Sequence, residues 1–458
     1  MRAQLVRTAV LEIYEQVRRE DARADQALQR VLRRDKQLHS VERRAVSDAV
    51  YGLLRLQGRI DALLSRALAT RGLALEKLAT PTQHLLRYAS WLVVSEKQGP
   101  ESACNLAGPE VALFRWTLDL LAQPDSLGGA PSDPMDALAA ETSLPRWLAA
   151  LWAGQLGAGE TRQLAAALNV RAPLTIRANL IKTSRADLEE RLTAEGAKTE
   201  RTKFAAHGLS FTTRTNVFAL KAFKAGLFEV QDEGSQLIAE AVCARPGQVI
   251  VDACAGAGGK SLALAAAMKN SGKLMACDRD GRRLLELKLR ARRDGVHNYE
   301  LRSVPEGPAG EQRLADLRSA ADAVLIDAPC SGLGALRRNP DARWRLDAEE
   351  VKTFPPRQRE ILERYSLLVK PGGLLVYATC SINREENEEV AEGFAQAHPH
   401  FAPVNPAELL GAERAAALAK AGAGEGLPAL GARARDLQLA PERHGTDGFY
   451  IAGLRRMR

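Results

Sequence analysis

At 458 residues the chain is too long for one ordinary hydrophobic core, so its length predicts two or three domains. Hydrophobic residues make up 46% of the sequence, which excludes wholesale disorder. The net charge of +8 and the pI of about 9.2 favour an anionic partner. No apolar run reaches the roughly 18 residues of a membrane span, and the first residues lack the apolar core of a signal peptide, so we expect a cytoplasmic protein.

The cysteines are spread over the chain, and their spacing argues against a metal site. None belongs to a C-x-x-C pair or lies near a histidine at the spacing of a zinc site, so we expect no bound metal. In a reducing compartment all six should be free thiols. For Cys104, Cys243 and Cys277 we predict ordinary buried side chains.

The first segment, residues 1–140, is predicted to be helical. Within residues 41–57 the apolar side chains recur at helical spacing. Arginines recur through the same segment; each alone is most simply a solvated surface residue, but as a group they form a candidate phosphate-binding surface. The turn-forming residues that predict the end of this domain are Gly128, Gly129, Pro131 and Pro134.

Residues 141–225 have a different pattern, which predicts a small α+β module. Residues 174–179 alternate like a short strand, and Ser184 with Asp187 resembles a capping box that begins a helix ending near Gly196. The segment carries basic residues of its own. We therefore predict an RNA-binding or linking module, although its residues alone assign it no function.

From residue 226 to the end, strand-like and helix-like segments alternate. The strand-like segments are residues 249–252, 273–277, 323–327 and 374–379. Helical patterns lie between them, for example over residues 282–293 and 351–368. This alternation predicts an α/β fold with a mostly parallel sheet covered by helices on both faces. Residues 415–434 are rich in alanine and glycine, and we expect a variable loop or helical insertion there.

A glycine-rich turn follows the strand at residues 249–252 and precedes a helical pattern. Its residues are Cys254, Ala255, Gly256, Ala257, Gly258, Gly259 and Lys260. Such a turn lets the backbone approach a ligand closely at the carboxyl end of a sheet. Asp278 ends the next strand, where an acid can accept hydrogen bonds from ribose hydroxyls. The pattern predicts a nucleotide-type cofactor but does not choose between NAD and S-adenosylmethionine.

Two further cysteines follow predicted strands. Cys330 lies in the sequence Asp327-Ala328-Pro329-Cys330, and Cys380 comes directly after residues 377–379. Sites in open α/β sheets form at the carboxyl ends of strands, where both thiols should lie. C5 of cytosine becomes nucleophilic when a thiolate adds at C6, and Asp327 can hydrogen-bond the N3 and N4 edge of the ring. Either cysteine alone would be read as a buried structural thiol; the pair indicates catalysis.

These motifs resemble those of the RNA 5-methylcytosine methyltransferases, in particular the bacterial branch called Sun or RsmB. The resemblance includes residues 327–334 and 377–381 and the run Glu385, Glu386, Asn387 and Glu388. It extends to residues 230–235, 336–341 and 447–450. Residues 42–55 are similar to part of the helical NusB-like RNA-binding domain that is fused to bacterial members.

The resemblance implies a fold and a reaction. It implies a Rossmann-like methyltransferase domain at residues 226–458 with a mostly parallel seven-stranded sheet, after a NusB-like domain at 1–140 and the module at 141–225. Cys380 would be the nucleophile that attacks C6, and Cys330 would assist product release. The methyl donor would be S-adenosylmethionine and the substrate 16S ribosomal RNA, before or during assembly. We expect a monomer.

The resemblance also implies which residues meet the cofactor. The turn from Cys254 to Lys260, with Asp278 and Asp327, would contact or border S-adenosylmethionine, and Lys260 would also reach the substrate. Two positions depart from the family pattern. Ala257 stands where the family usually has proline, and no acid follows the third strand at the usual place, although Glu306 lies nearby and could replace it.

Three alternative functions remain open from the sequence. The same chemistry could act on transfer RNA, which the motifs do not exclude. A non-catalytic RNA-binding or assembly factor could keep the fold, but both cysteines, Asp327 and the glycine turn are all present. An amino-group methyltransferase would need no thiol, so the paired cysteines count against it.

Overall fold

The computed structural model describes residues 2–20, 22–127, 131–423 and 431–458. The chain forms two compact units. Unit 1 comprises Met1–Arg171 with Leu336–Glu350, and unit 2 comprises Ala172–Ala335 with Val351–Arg458. Each unit therefore contains two separate stretches of the chain.

The helices and strands are numbered in chain order. The helices are α1 Ala3–Arg19, α2 Ala24–Arg34, α3 Ser40–Ala69, α4 Thr80–Val94, α5 Pro100–Ala107, α6 Arg115–Leu121, α7 Pro134–Thr142, α8 Arg146–Leu156, α9 Ala158–Leu168, α10 Arg185–Ala194, α11 Lys221–Lys224, α12 Glu233–Ala241, α13 Gly259–Ala267, α14 Gly281–Asp294, α15 Pro308–Arg313, α16 Ala342–Arg345, α17 Ala348–Lys352, α18 Phe354–Ser366, α19 Glu388–Ala397, α20 Pro406–Leu410, α21 Ala412–Gly422 and α22 Pro441–His444. The strands are β1 Thr175–Ala178, β2 Thr199–Arg201, β3 Gly208–Phe211, β4 Phe228–Val230, β5 Val249–Asp252, β6 Lys273–Asp278, β7 Tyr299–Ser303, β8 Ala321–Asp327, β9 Val369–Thr379, β10 Phe401–Val404, β11 Gly431–Ala432, β12 Asp436–Leu439 and β13 Phe449–Arg456.

Unit 1 is helical and is organised around α3. This helix runs for 30 residues and packs against α1, α4 and α7. Its buried stripe includes the apolar residues expected from the sequence pattern: Val46, Val50, Leu53 and Leu54. The facing stripe on α1 has helical spacing as well: Val6, Val10, Ile13 and Val17. The predicted helical character of this part of the chain is confirmed.

The segment at residues 336–350 belongs to unit 1 although it lies in the sequence among residues of unit 2. Arg343 in α16 is fully buried, and its guanidinium donates to the side-chain oxygen of Asn169 at 2.6 Å and to the carbonyl of Ser143 at 3.2 Å. The indole N–H of Trp344 donates to the Leu54 carbonyl at 2.6 Å. Because the carbonyls at the ends of α7 and α9 lack partners within their own helices, Arg343 satisfies groups that would otherwise be buried without hydrogen bonds.

Unit 2 contains a small antiparallel sheet with the strand order β2-β3-β1-β4. As predicted, Ser184 caps α10 by accepting from the backbone N–H of Asp187 at 3.1 Å. At the end of the sheet, the buried carboxylate of Glu229 pairs with Arg290 and Arg293 of α14. The small sheet is thereby fixed to the helix that follows β6.

The second sheet of unit 2 is mixed. Its strand order is β11-β12-β13-β9-β8-β5-β6-β7, and β10 also pairs with β13. The pairs from β7 to β9 are parallel, whereas β13 is antiparallel to β9 and also to β10 and β12. The expectation of a mostly parallel seven-stranded sheet is therefore wrong: the described sheet has nine strands, of which only five form the parallel part. Strands as short as β10, β11 and β12 carry too little periodicity to be found in the sequence.

Helices cover both faces of the parallel part, as predicted. Alternate side chains of each strand enter two different apolar clusters. Ile250, Ala276 and Leu325 enter one, with α12, α13 and α14. The residues that enter the other, with α18 and α19, include Val251, Met275 and Val324. This alternation is the two-residue period of a strand that is buried on both sides.

Two sequence predictions fall partly outside the described residues. Gly128 and Gly129, which we expected at a domain boundary, lie outside them, as do residues 424–430 of the alanine- and glycine-rich stretch. The described part of that stretch is mainly helical, because it belongs to α21. In the part of the chain that the structure describes, no helix is both long and apolar enough to cross a bilayer.

Replacing Arg343 should destabilise unit 1. We expect Arg343→Ala to lower the free energy of unfolding by about 3 kcal/mol, because several buried carbonyls lose a charged donor. All five tryptophans of the chain lie in unit 1, so urea unfolding followed by tryptophan fluorescence reports on this unit alone.

The matched control is Arg345→Ala. Arg345 lies in the same short helix, is partly exposed, and pairs with Asp341 at 3.1 Å, so its removal should cost about 1 kcal/mol or less. Equal losses for the two variants would contradict the role assigned to Arg343.

Candidate active site

A cavity of about 300 Å³ lies at the carboxyl ends of the parallel strands in unit 2. Each of the five parallel strands contributes to its wall through the residues at its end or just after it. The residues that line it are Ala253, Cys254, Asp278, Arg279, Arg283, Val304, Glu306, Asp327, Ala328, Pro329, Cys330, Arg357, Glu360, Ile361, Arg364, Tyr365 and Cys380. This is the edge at which open α/β sheets bind their ligands.

The glycine turn follows β5 and begins at Cys254, which lines the cavity. Gly256 and Gly258 have φ values of +53° and +87°, which favour glycine. A side chain at Gly258 would also collide with Leu287 of α14, since a Cβ there would lie 2.3 Å from its Cγ. Glycine is thus required at 258 both for its backbone conformation and for close packing against α14.

Asp278 connects the turn to the cavity. Its carboxylate accepts from the backbone N–H of Gly256 at 2.8 Å and from that of Asp280, also at 2.8 Å. Of the predicted cofactor residues, Cys254, Asp278 and Asp327 line the cavity. The residues from Ala255 to Lys260 are not in its lining; they shape the turn behind it.

Lys260 and Asp327 form an ion pair at the cavity wall. The Nζ of Lys260 lies 2.7 Å from Oδ2 of Asp327. Burial by itself would lower the pKa of Lys260, but the charge of Asp327 and its hydrogen bond outweigh that effect, so the pKa is raised. The lysine therefore stays protonated and fixes the carboxylate that faces the cavity.

The two predicted catalytic cysteines meet in this cavity. Their Sγ atoms lie 3.3 Å apart, and both are free thiols. The pKa of Cys330 lies well above its ordinary value, first because its thiol hydrogen-bonds that of Cys380 and then because it is buried. Cys330 thus holds its proton at neutral pH, and the pair carries at most one negative charge.

Two other cysteines, Cys254 and Cys277, lie near the same edge of the sheet. Burial raises the pKa of Cys277 to about 12, and that of Cys254 well above its ordinary value. A thiol that stays protonated is a poor nucleophile. Cys277 is fully buried in the sheet, in agreement with the prediction of an ordinary buried side chain.

Glu306, which the sequence suggested for the cofactor end of the site, lies on the cavity rim. It pairs with Arg279 at 2.9 Å, and both side chains are largely exposed. The apolar part of the lining nearby consists of Val304, Ile361 and Tyr365. Such a combination of apolar walls with a few polar groups fits an aromatic base with a ribose.

The sequence reasoning missed several residues of this wall. Arg283, on the first turn of α14, and the α18 residues Arg357, Glu360, Arg364 and Tyr365 all line the cavity. They lie on helices whose period was recognised, but the period does not say which turn of a helix faces a site. No signal in a single sequence would have separated them from surface residues.

Comparison with known proteins agrees with this geometry. A sequence model of the 16S rRNA methyltransferases RsmB/F matches residues 239–455, and one of the RsmF/B-like ferredoxin-like domain matches residues 144–218. The probable ribosomal RNA small subunit methyltransferase B of Synechocystis sp. is 30% identical over 460 residues, which cover 97% of this chain and 98% of the relative. The chain belongs to the RsmB/F family.

Two further relatives extend the similarity. The probable ribosomal RNA small subunit methyltransferase B of Bacillus subtilis is 29% identical over 467 residues, covering 100% of both chains. The crystal structure of a methyltransferase homologue from Pyrococcus horikoshii is 28% identical, with a TM-score of 0.57, and covers 71% of this chain and 100% of that one. Family membership confirms the resemblance and the S-adenosylmethionine cofactor that it implied.

The cavity fits this cofactor of the RsmB/F family. The acid at the end of β6 can accept from ribose hydroxyls, and the glycine turn brings backbone close to the ligand. Among the residues that the structure describes, no group of three or more His, Cys, Asp or Glu side chains is arranged to hold a metal ion.

Asp252 gives the site a testable pH dependence. Its carboxyl is buried beneath the turn and accepts from the Ser261 hydroxyl at 2.7 Å, and burial raises its pKa to about 7. Between about pH 4 and pH 7 the folded chain keeps this proton, whereas the unfolded chain has released it. The free energy of unfolding therefore falls as the pH rises across this range. Relative to Asp252→Asn, the wild type should lose on the order of 4 kcal/mol between pH 4 and pH 8.

Urea unfolding followed by circular dichroism at several pH values measures this difference for the two proteins. If the difference in free energy of unfolding between the two proteins stays constant from about pH 4 to pH 8, Asp252 has the same pKa in the folded and the unfolded chain.

Proposed function

We propose that this chain methylates C5 of a cytosine in 16S ribosomal RNA, with Cys380 as the nucleophile and Cys330 as the residue that assists product release. The observation that carries the proposal is the contact of the two thiols, 3.3 Å apart, in a cavity whose lining also includes Asp327, the ion-pair partner of Lys260. A methyltransferase that modifies an amino group needs an acceptor but no thiol. Paired thiols fit a reaction at ring carbon.

The residues that would hold the cofactor come from three strands. They are the turn from Cys254 to Lys260 after β5, Asp278 at the end of β6 and Asp327 at the end of β8, with Glu306 on the rim at the adenine end. When bound, S-adenosylmethionine supplies the methyl group as an electrophile.

The chain's own residues would prepare the base. The Cys380 thiolate adds to C6, which places electron density on C5. Asp327, fixed by Lys260, accepts from the N4 amino group and from N3–H of the adduct, in which N3 has taken up a proton; this selects cytosine and favours the addition. After the transfer, water takes the C5 proton, the electron pair of that C–H bond restores the double bond between C5 and C6, and Cys380 leaves C6 as a thiolate. Cys330 touches the sulfur that departs, which suits it to assist this step.

The choice of ribosomal RNA rests on the relatives and on charge. Two relatives aligned over almost their whole length carry the name ribosomal RNA small subunit methyltransferase B. The net charge of +8 suits a polyanionic substrate. A base in a duplex must be extruded to reach such a cavity, so partly unfolded RNA during assembly is the substrate we favour. Within the chain, residues 1–140, the NusB-like domain by resemblance, and residues 141–225 are the proposed RNA-binding parts.

The two cysteine variants test the proposal. Wild type, Cys380→Ala and Cys330→Ala are incubated with small-subunit RNA and tritiated S-adenosylmethionine, and the products are separated on denaturing gels. We expect labelled 5-methylcytosine from the wild type. We expect a covalent protein–RNA band that accumulates with Cys330→Ala, because release is blocked, and neither product nor adduct with Cys380→Ala.

Cys243→Ala is the matched control, because this half-buried cysteine bonds the Leu409 carbonyl and lies outside the cavity lining. It should methylate as the wild type does. An adduct that accumulates with Cys380→Ala would mean that the two roles are exchanged. Normal methylation by both cavity variants would refute thiol catalysis, and labelling of transfer RNA in preference would reassign the substrate.

A further inference from the structure

One buried carboxylate joins the two loops that carry the cysteines. Glu386 precedes α19 and is fully buried. Its Oε1 accepts from the hydroxyls of Ser331 at 2.5 Å and Ser381 at 2.7 Å, and its Oε2 accepts from the backbone N–H of Ser331 at 2.8 Å. Ser331 and Ser381 directly follow Cys330 and Cys380. The same side chain thus holds the residue next to each thiol.

A second side chain completes the support. The amide of Gln358, on α18, donates to the Pro329 carbonyl at 3.0 Å and to Oε2 of Glu386 at 3.1 Å. The hydroxyl of Tyr377 donates to the backbone carbonyl of Glu386 at 2.6 Å, so the turn that carries the carboxylate is itself fixed to β9. The side chains of Gln358, Tyr377 and Glu386 are all fully buried, which gives the network little freedom to rearrange.

The partners of Glu386 are neutral. Among the described residues, no lysine or arginine forms an ion pair with it, and its carboxylate is held by hydroxyl and amide donors alone. A buried carboxylate without a cation is costly to desolvate, and a neutral side chain could have filled the space. Its position behind both thiols gives a reason for keeping an acid there.

We propose that Glu386 is a positioning residue that holds the Cys330 loop against the Cys380 loop, so that one thiol attacks the base while the other stands beside the sulfur that leaves. This inference rests on the proposed function for the roles of the two thiols. The negative charge has a second effect, since it is one of the causes that raise the pKa of Cys330. Glu386 thereby also helps Cys330 to keep its proton while Cys380 reacts.

The two effects of Glu386 can be separated by substitution. Oε2 accepts from the backbone N–H of Ser331, which can only donate, whereas the hydroxyls at Oε1 can turn and accept. Glutamine can therefore place its oxygen at the Oε2 position and its amino group at the Oε1 position. Glu386→Gln keeps the hydrogen bonds to Ser331 and Ser381 and removes the negative charge. Glu386→Ala removes both the hydrogen bonds and the charge.

We expect Glu386→Ala to lower kcat about 100-fold while the KM values for RNA and S-adenosylmethionine stay within about threefold, because the thiols lose their alignment but the cavity remains. Glu386→Gln should restore kcat to within about tenfold of the wild type. The pKa of Cys330, measured from the pH dependence of its alkylation, should be lower in Glu386→Gln than in the wild type, because a negative charge near this thiol is gone.

The matched control is Glu388→Ala. Glu388 is a largely buried acid two residues later, but its partner is Arg433 and it bonds neither cysteine loop. Glu388→Ala should destabilise the protein to a similar degree, as measured by thermal unfolding, and leave kcat unchanged. An equal loss of kcat in Glu388→Ala and Glu386→Ala would reduce Glu386 to a structural residue and overturn the inference.

A second measurement is independent of the proposed reaction. Phenylarsine oxide bridges two neighbouring thiols with release of water, and intact-protein mass spectrometry detects the adduct. We expect capture by the wild type and by Glu386→Gln, and loss of capture by Glu386→Ala and by Cys330→Ala. Capture by Glu386→Ala at the wild-type level would overturn the positioning role. If the thiols respond as expected but Cys380→Ala still methylates RNA, the proposed function fails and the positioning of the thiol pair stands.

Discussion

The parallel register of β8 and β9 is the constraint on which the site depends. Asp327 lies opposite Ala378 in this register, so the loops that follow β8 and β9 leave the sheet side by side. Cys330 comes three residues after Asp327, and Cys380 comes two residues after Ala378. Neighbouring parallel strands lie about 4.8 Å apart, and thiols on loops that start so close can touch. A shift of the register by one residue would separate the sulfurs and turn the side chains of one strand to the other face.

Charge in the cavity is arranged around this pair of thiols. The Lys260–Asp327 ion pair carries no net charge, and Cys330 is protonated. Two buried acids near the site are held by serine hydroxyls: Asp252 by that of Ser261, and Glu386 by those of Ser331 and Ser381. Serine hydroxyls stabilise these acids without adding a positive charge that would attract the phosphates of the substrate.

Much of the catalytic part could be predicted from the sequence, and the remainder has physical reasons. Strands β5, β6, β8 and β9 and the residues at their ends follow from long apolar segments and from the rule that ligands bind at carboxyl ends. The expected strand count was wrong because β10 and β12 take their places in the sheet only by pairing with β13, which no local pattern in the sequence indicates. Glu386 and Arg343 stood in recognised motifs or beside them, but their roles depend on contacts with residues far away in the sequence. Hydrogen bonds between residues far apart in the sequence leave no repeating pattern that a single sequence would reveal.

The glycine turn illustrates how contacts at a distance can replace a local restraint. A proline at 257, usual in the family, would fix the backbone of the turn through its ring. Here Arg290 of α14 donates to the Ala257 carbonyl at 2.8 Å, and Asp278 holds the N–H of Gly256, so the turn is restrained from both sides. Arg290 also pairs with Glu229 on β4 at 2.6 Å. The small sheet, to which the sequence pattern assigned no function, is therefore part of the support of the cofactor turn. A change that loosens the sheet from α14 would loosen the turn as well, because the same guanidinium serves both.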